Sequence, residues 1–155
     1  MSKIYCLCGF VGAGKTTYAK KLVEQYHAFR FSPDEWMIPL FGEHMERAVF
    51  DQRLATLTEL FKRSALDLLA IGVPVIFDFG FWTRADREAM RIWAAEQKLD
   101  CEMIYLDVDY ETCCQRAVAR NKDSKDDAFT MTPEMLALFW SWFEIPDQDE
   151  PVTVV

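Results

Sequence analysis

The stretch that decides the fold is Gly-Phe-Val-Gly-Ala-Gly-Lys-Thr, at residues 9–16. It follows an apolar run at residues 4–8 and precedes residues 16–26, where apolar side chains recur at helical spacing. The order strand, glycine-rich loop, helix, with the spacing G-x-x-x-x-G-K-S/T, is the Walker A pattern. Such a loop turns backbone N–H groups inward, and the following helix points the positive end of its dipole to the same place. We therefore predict a polyphosphate cradle rather than a glycine-rich turn without a ligand.

The side chains of this loop have separate predicted roles. Lys15 is expected to neutralise charge between the β- and γ-phosphates, which makes it a candidate catalytic residue. The Thr16 hydroxyl is expected to ligate Mg²⁺. Further nucleotide contacts are predicted at Gly9, Val11, Gly12, Ala13, Gly14 and Thr17.

The rest of the chain alternates short apolar runs with longer stretches of helical spacing. We predict strands at residues 3–9, 28–31, 73–79, 101–108 and 152–155. We predict helices at residues 16–26, from residue 32 onward, and at about 45–71, 84–98, 109–121 and 133–143. This alternation indicates one α/β domain over residues 1–155, with a parallel sheet covered on both faces. Ligands of such sheets bind beyond the carboxyl ends of the strands, so the residues that follow each strand are the candidates.

Composition limits the class of protein. The 155 residues are 51% hydrophobic and 27% charged, with no apolar run long enough to cross a bilayer and no signal-peptide pattern. The five cysteines have no framework-like spacing, so we expect reduced thiols, no cysteine-bound metal and a cytoplasmic location. A net charge of −8 argues against a protein that holds long nucleic acid through its phosphates. Small acceptors are favoured, and the oligomeric state is left open.

Asp34 follows the second predicted strand and has two interpretations. Ser32, Pro33 and Glu35 around it have the spacing of a capping box, in which Asp34 only complements the helix dipole. Alternatively, Asp34 is a catalytic residue that binds and orients an acceptor hydroxyl and takes its proton. The residues alone leave both interpretations open.

The third predicted strand ends at Asp78, in a Walker B-like arrangement. Asp78 could hold Mg²⁺ through water or touch the acceptor, although an Asp that closes a strand is also a common turn residue. Aromatic and basic residues nearby could form the wall of an acceptor site, and we count Trp36, Phe81, Arg84 and Arg87 as candidates. The same side chains could equally pack against the long helix or form surface ion pairs.

Arg116 and Arg120 lie one helical turn apart, before a polar run at residues 121–130. Kinases need cations that reach the phosphates when a flexible segment closes, which suits a short lid here. We predict that both arginines contact the nucleotide and that Arg120 is also catalytic. The alternative is a solvated helix end, where arginine is favoured by the dipole.

These motifs occur in an order that resembles the P-loop kinase group of zeta toxins, chloramphenicol phosphotransferase and polynucleotide kinases. The resemblance covers nearly the whole chain, although only the Walker A loop is highly specific. It implies a three-layer P-loop NTPase fold with a five-stranded parallel sheet in the order 2-3-1-4-5. It also implies ATP and Mg²⁺ as cofactors and Asp34 as the catalytic base.

One departure from this group concerns the acceptor. Polynucleotide kinases of this type carry an arginine shortly after the base, whereas Glu35, Trp36, Met37 and Ile38 follow Asp34. The sequence therefore favours a kinase that phosphorylates a hydroxyl of a small molecule. The alternatives are a polynucleotide 5′-hydroxyl kinase, and a P-loop ATPase or nucleotide-binding protein without an acceptor.

Overall fold

The computed structural model describes residues 3–121 and 129–155. In chain order the strands are β1 (Lys3–Cys8), β2 (Phe29–Phe31), β3 (Val75–Gly80), β4 (Asp100–Tyr105) and β5 (Thr153–Val154). The helices are α1 (Lys15–Tyr26), α2 (Pro33–Phe41), α3 (Arg47–Ala70), α4 (Arg84–Glu96), α5 (Tyr110–Asn121) and α6 (Pro133–Trp142). None of these helices is both long and apolar enough to span a bilayer.

The strands form one sheet in the order β2-β3-β1-β4-β5, and every neighbouring pair is parallel. This confirms the α/β fold class and the strand order predicted above. Cys8 at the end of β1 lies level with Gly80 of β3 and Tyr105 of β4. The segments that follow these strands therefore emerge at one edge of the sheet.

The centre of the sheet is apolar because helices cover both of its faces. Side chains alternate between the two faces along a strand, yet every residue of β1 from Ile4 to Cys8 is buried. Ile76 and Phe77 of β3 are fully buried as well. Burial of this apolar surface on both faces stabilises the sheet through the hydrophobic effect.

Most predicted boundaries agree with the structure to within two residues, but β4 is shorter than predicted. The predicted strand ran to residue 108, whereas β4 ends at Tyr105. The chain turns there, with the N–H of Val108 bonded to the carbonyl of Leu106. Asp109 then begins α5 by accepting a hydrogen bond from the N–H of Thr112 at 2.8 Å. The predicted lid falls largely on residues 122–128, outside the described residues.

Threonine side chains cap the first turns of two helices. Thr83 accepts from the N–H of Asp86 at α4, and Thr132 accepts from the N–H of Met135 at α6. At α2 the structure does not support the capping-box interpretation of residues 32–35. Ser32 occupies the cap position but its hydroxyl makes no capping hydrogen bond, and Glu35 turns to Arg30 instead.

Candidate active site

The Walker A loop lies where β1 and β3 end together. The N–H of Gly9 donates to the carbonyl of Gly80 at 3.0 Å, which ties the start of the loop to the end of β3. Helix α1 begins at Lys15, and the N–H of Tyr18 makes its first backbone bond, to Gly14. The N–H groups that open a helix have no intrahelical partner, so those of residues 15–17 are available to an anion.

Two glycines have the backbone conformation that gives the loop its shape. Gly12 has φ +81° and Gly14 has φ +93°, both in the left-handed region that side chains disfavour. A Cβ on Gly12 would lie 2.2 Å from the carbonyl oxygen of Cys113, so α5 can approach the loop only because this residue is glycine. The shape of the phosphate-binding loop therefore depends on the backbone conformation of these two glycines.

The Lys15 amine curls back over the loop. Its Nζ donates to the carbonyl of Phe10 at 3.1 Å. Burial lowers the pKa of Lys15 and the charge of Arg120 adds to this, while Asp78 and Asp34 oppose it. The residue as a whole is only half-buried, so part of it remains accessible to solvent. A desolvated cation inside the loop is suited to binding a phosphate oxygen.

An aromatic cluster packs around Phe10, the second residue of the Walker A loop. The Phe10 ring is 2% exposed and lies edge-on to Trp140, with the ring centres 5.0 Å apart. It also contacts the rings of Trp82, Tyr110 and Phe143. The second residue of the phosphate loop is therefore anchored to α6 and to the chain that follows it.

Asp34 lies in the first turn of α2, the helix that follows β2. Burial among the surrounding protein atoms raises the pKa of Asp34, and nearby Asp78 adds to this. Lys15, Arg120 and Arg30 act in the opposite direction, so all four charges lie within electrostatic range of this carboxyl. Its side chain is nonetheless accessible to solvent, as a group that meets a substrate must be. A raised pKa makes Asp34 a stronger base than a carboxylate at a helix N-terminus would ordinarily be.

Asp78 is paired with Arg30, a residue that the sequence analysis did not select. Arg30 Nε and Nη2 donate to Asp78 Oδ2 at 3.0 and 2.8 Å, and Nη1 donates to Glu35 Oε1 at 2.7 Å. Nη2 also lies 3.3 Å from the Thr16 hydroxyl. Burial opposes the charged form of Arg30, but Asp78 and Glu35 outweigh it and raise the pKa of the guanidinium.

Two of the groups that contact Arg30 are also possible ligands of a metal ion. The Thr16 hydroxyl and the Asp78 carboxylate are hard oxygen donors of the kind that Mg²⁺ selects. Both already face one cationic nitrogen, Arg30 Nη2. The donor set therefore fits a cation held between α1 and β3.

A groove of about 370 Å³ opens beside the loop on the α5 side. Its lining combines residues of the loop and of α1 with one residue after β4 and one of α5, and consists of Ala13, Gly14, Thr17, Tyr18, Lys21, Leu106 and Arg116. This volume lies at the lower end of the range for small-molecule sites. Of the predicted nucleotide contacts, Ala13, Gly14, Thr17 and Arg116 line it.

The four predicted acceptor contacts near β3 and α2 occupy different environments. Trp36 is 44% exposed and lies edge-on to Phe61, so its indole remains available to a ligand. Phe81 is buried, and its carbonyl accepts from Arg87 Nη1 at 2.8 Å. Arg84 is held at the surface by Asp149 and Glu88.

Arg87 is 1% exposed and forms a two-pronged ion pair with Glu150, in which its Nη2 lies 3.1 Å from Oε2. Arg91 Nη2 contacts the same carboxylate at 3.3 Å. These contacts tie the segment before β5 to α4. The placement of Arg87 favours a structural role over the predicted contact with an acceptor, because its donors are already used inside the protein.

Arg30 and Glu150 are the residues that sequence reasoning missed. A signal for Arg30 was present, because it is a charged residue in the centre of the short apolar strand Phe29–Phe31. Glu150 carries no such signal, because it lies in an acidic segment with no regular pattern.

The fold and the loop geometry together define a P-loop nucleotide-binding protein of the kinase group. A family model described as an AAA domain matches residues 4–146, and the chain belongs to this family. A search of curated protein sequences found no significant match.

Solved structures share the fold at low identity. Kti12 from Chaetomium thermophilum, in complex with ADP-AlF3, superposes with a TM-score of 0.74 at 17% identity over 98% of this chain and 88% of that chain. A gluconokinase from Sinorhizobium meliloti gives 0.63 at 17% identity over 99% and 81%. A chain of the Pnkp1/Rnl/Hen1 RNA repair complex gives 0.70 at 18% identity over 91% of this chain but only 43% of that chain. The same fold thus occurs in Kti12, in a gluconokinase and in a chain of an RNA repair complex.

Proposed function

We propose that this protein is a cytoplasmic, single-domain kinase that transfers the γ-phosphate of ATP to a hydroxyl of a small molecule. The observation that carries the proposal is the position of Asp34. This accessible carboxylate lies within electrostatic range of the Walker A lysine, Lys15, and of Arg120. A carboxylate opposite a phosphate cradle is the group that a kinase needs and a passive nucleotide-binding site does not.

The nucleotide would bind across the loop and the adjoining groove. The N–H groups of residues 15–17 and the Lys15 amine would hold the β- and γ-phosphates. The groove would take the nucleoside, where Arg116 could lie against the base. Kti12, which shares the fold, has a structure in complex with ADP-AlF3, and this supports a nucleotide at the corresponding place.

The transfer step needs little covalent participation by the protein. The acceptor oxygen forms a bond to the γ-phosphorus while the bond from that phosphorus to the β,γ-bridging oxygen breaks, and ADP leaves. Asp34 orients the hydroxyl and takes its proton, and Lys15 and Arg120 stabilise the charge on the transferring group. Mg²⁺, held by Thr16 and Asp78, would supply further charge neutralisation at the β- and γ-phosphates.

A small acceptor is favoured over a polynucleotide because the arginines on the acceptor side are committed to carboxylates. Arg30 is bound by Asp78 and Glu35, and Arg87 by Glu150, in pairs that are mostly buried. Releasing such a guanidinium would leave a buried charge unpaired, at a cost of roughly 3–5 kcal/mol. A polyanion would therefore meet a rim whose buried cations are already neutralised.

The experiment is a screen of metabolites and antibiotics for ADP release that depends on the acceptor, followed by two substitutions. Asp34→Asn should lower turnover about 100-fold or more with little change in ATP affinity, because it removes the base and not the cradle. Lys15→Ala should abolish transfer through loss of phosphate stabilisation.

The matched control is Asp86→Asn, which also changes an acid in the first turn of a helix but lies on the surface of α4. It should leave turnover unchanged. If Asp34→Asn loses ATP binding as strongly as turnover, Asp34 is structural and the proposal fails. ATPase activity that ignores every acceptor would favour a hydrolase, and labelling of an oligonucleotide 5′ end would favour a polynucleotide kinase.

A further inference from the structure

One guanidinium joins the nucleotide side of the site to the acceptor side. Arg30 contacts Thr16 on α1, Asp78 on β3 and Glu35 on α2. The Arg30 side chain is 11% exposed and that of Asp78 is 4% exposed, so solvent screens their attraction weakly. Neither partner can leave this pair without a replacement for the lost charge.

The contact with Thr16 links these hydrogen bonds to the predicted metal site. The nitrogen that approaches the Thr16 hydroxyl, Nη2, is also the nitrogen that binds Asp78 at 2.8 Å. The hydroxyl at this position of a Walker A loop is the group that ligates Mg²⁺. A divalent cation on Thr16 would therefore lie against a guanidinium of the same sign.

We infer that Arg30 is a positioning residue that occupies the metal end of the site in the nucleotide-free protein and releases Thr16 when the metal–nucleotide binds. This inference rests on the nucleotide-binding half of the proposed function and not on the identity of the acceptor. Without nucleotide Arg30 bridges Thr16, Asp78 and Glu35, and with the metal bound it keeps Glu35 while its contacts to Thr16 and Asp78 loosen.

The consequence is a coupling between the two halves of the site. Glu35 is the neighbour of Asp34 in the first turn of α2, so a guanidinium that shifts toward Glu35 carries a change at the metal to the base. Coupling of this kind requires an element with two discrete arrangements that both ligands bias, and Arg30 is that element here.

The test measures metal binding directly. Mn²⁺ replaces Mg²⁺, and the free Mn²⁺ signal in electron paramagnetic resonance is titrated in the presence of ADP. Arg30→Gln removes the competing charge, so we expect it to bind Mn²⁺ about tenfold more tightly than the wild type. Arg30→Lys keeps the charge but lacks the branched, planar guanidinium that contacts three partners. Its Mn²⁺ affinity should therefore lie between those of the wild type and Arg30→Gln. An affinity for Mn²⁺ that is unchanged or weaker in Arg30→Gln overturns the inference.

The matched control is Arg84→Gln. Arg84 also pairs with two carboxylates, Glu88 and Asp149, but it touches neither Thr16 nor Asp78. Its Mn²⁺ affinity should equal that of the wild type, and tightening there would mean that net charge alone explains the result and would overturn the inference. A second readout is hydrogen exchange in the first turn of α2, which should respond to Mn²⁺ and ADP in the wild type and less in Glu35→Gln.

The two proposals fail in distinguishable ways. The Mn²⁺ titration needs no acceptor, so an unsuccessful acceptor screen counts against the kinase and leaves the role of Arg30 standing. A wild-type protein that binds no Mn²⁺ with ADP overturns both.

Discussion

Replacing Glu150 with glutamine should destabilise the protein strongly, because Glu150 forms a buried ion pair with Arg87. The side chains of Glu150 and Arg87 are each 1% exposed, and Arg91 donates to the same carboxylate. Glu150→Gln keeps the shape of the side chain but leaves the buried Arg87 charge unpaired. Breaking a buried pair in this way costs roughly 3–5 kcal/mol. We expect about 3 kcal/mol, because glutamine can still accept one hydrogen bond and because Arg87 keeps its bond to the carbonyl of Phe81.

The assay is urea unfolding followed by far-UV circular dichroism at neutral pH. A loss of about 3 kcal/mol in the free energy of unfolding should also lower the melting temperature by roughly 10 °C in a chain of this size. Asp149→Asn is the control, because Asp149 pairs with Arg84 while its side chain is 69% exposed. Exposed pairs contribute about 1 kcal/mol or less, so this variant should unfold close to the wild type.

The pH dependence adds an independent check. Burial alone would raise the pKa of Glu150, but the bonds from Arg87 and Arg91 outweigh it and lower the pKa below the ordinary 4.5. A carboxyl whose pKa is lowered in the folded state stabilises the fold above the unfolded pKa and loses this contribution as pH falls through the folded pKa. The difference between wild type and Glu150→Gln should therefore shrink below about pH 4.5. A variant within about 1 kcal/mol of the wild type at neutral pH would refute the reasoning.

Three further predictions concern the site itself. Gly12→Ala should lower the free energy of unfolding in urea by about 3 kcal/mol, because the alanine would have a strained left-handed backbone and would clash with the carbonyl of Cys113. Gly72→Ala is the control: Gly72 has φ +86° but open space around it, so this variant should lose only about 1 kcal/mol. Equal losses in the two variants would contradict the close approach of α5 to the loop. Acceptor phosphorylation should decline as pH falls through the pKa of Asp34, which burial raises above 3.8, so an acid limb of kcat at or below pH 3.8 would contradict the assignment of the base. Arg116→Ala should weaken ADP binding about fivefold by calorimetry, since one cation–base contact is worth about 1 kcal/mol, and an unchanged affinity would show that the nucleoside binds outside the groove.

The strands and the phosphate loop could be predicted from local patterns in the sequence, whereas the order of the strands came from the resemblance to the P-loop kinase group. Apolar runs such as residues 4–8 are continuous only when a strand is buried on both faces, and glycine at residues 9, 12 and 14 leaves little choice for the loop that follows. The spacing of the Walker A pattern also fixed which side chains enter the cradle.

The electrostatic partners could not be predicted, because they depend on register between distant segments. Arg30 lies level with Ile76, and this register brings its guanidinium to Asp78, 48 positions away in the chain. Arg87 was expected to contact an acceptor because it lies in the first turn of α4. Instead, an ion pair with Glu150, 63 positions further along the chain, holds its side chain in the interior. Helical spacing shows which face a side chain shares and does not show which charge it meets.

The capping interpretation of Asp34 shows the same limit. A capping box and a substrate-facing acid have the same sequence signature, and the bond from Arg30 to Glu35 argues against the capping box. Glu35 is bonded to Arg30, so no capping box forms, while Lys15 and Arg120 lie within electrostatic range of Asp34.

The ring contacts of Phe10 have a practical consequence. Trp82 and Trp140, two of the five indoles in the chain, touch the ring of a phosphate-loop residue. Any rearrangement of the loop changes the polarity around these indoles, so their emission is an intrinsic optical reporter for titrations and stopped-flow experiments, without an attached dye.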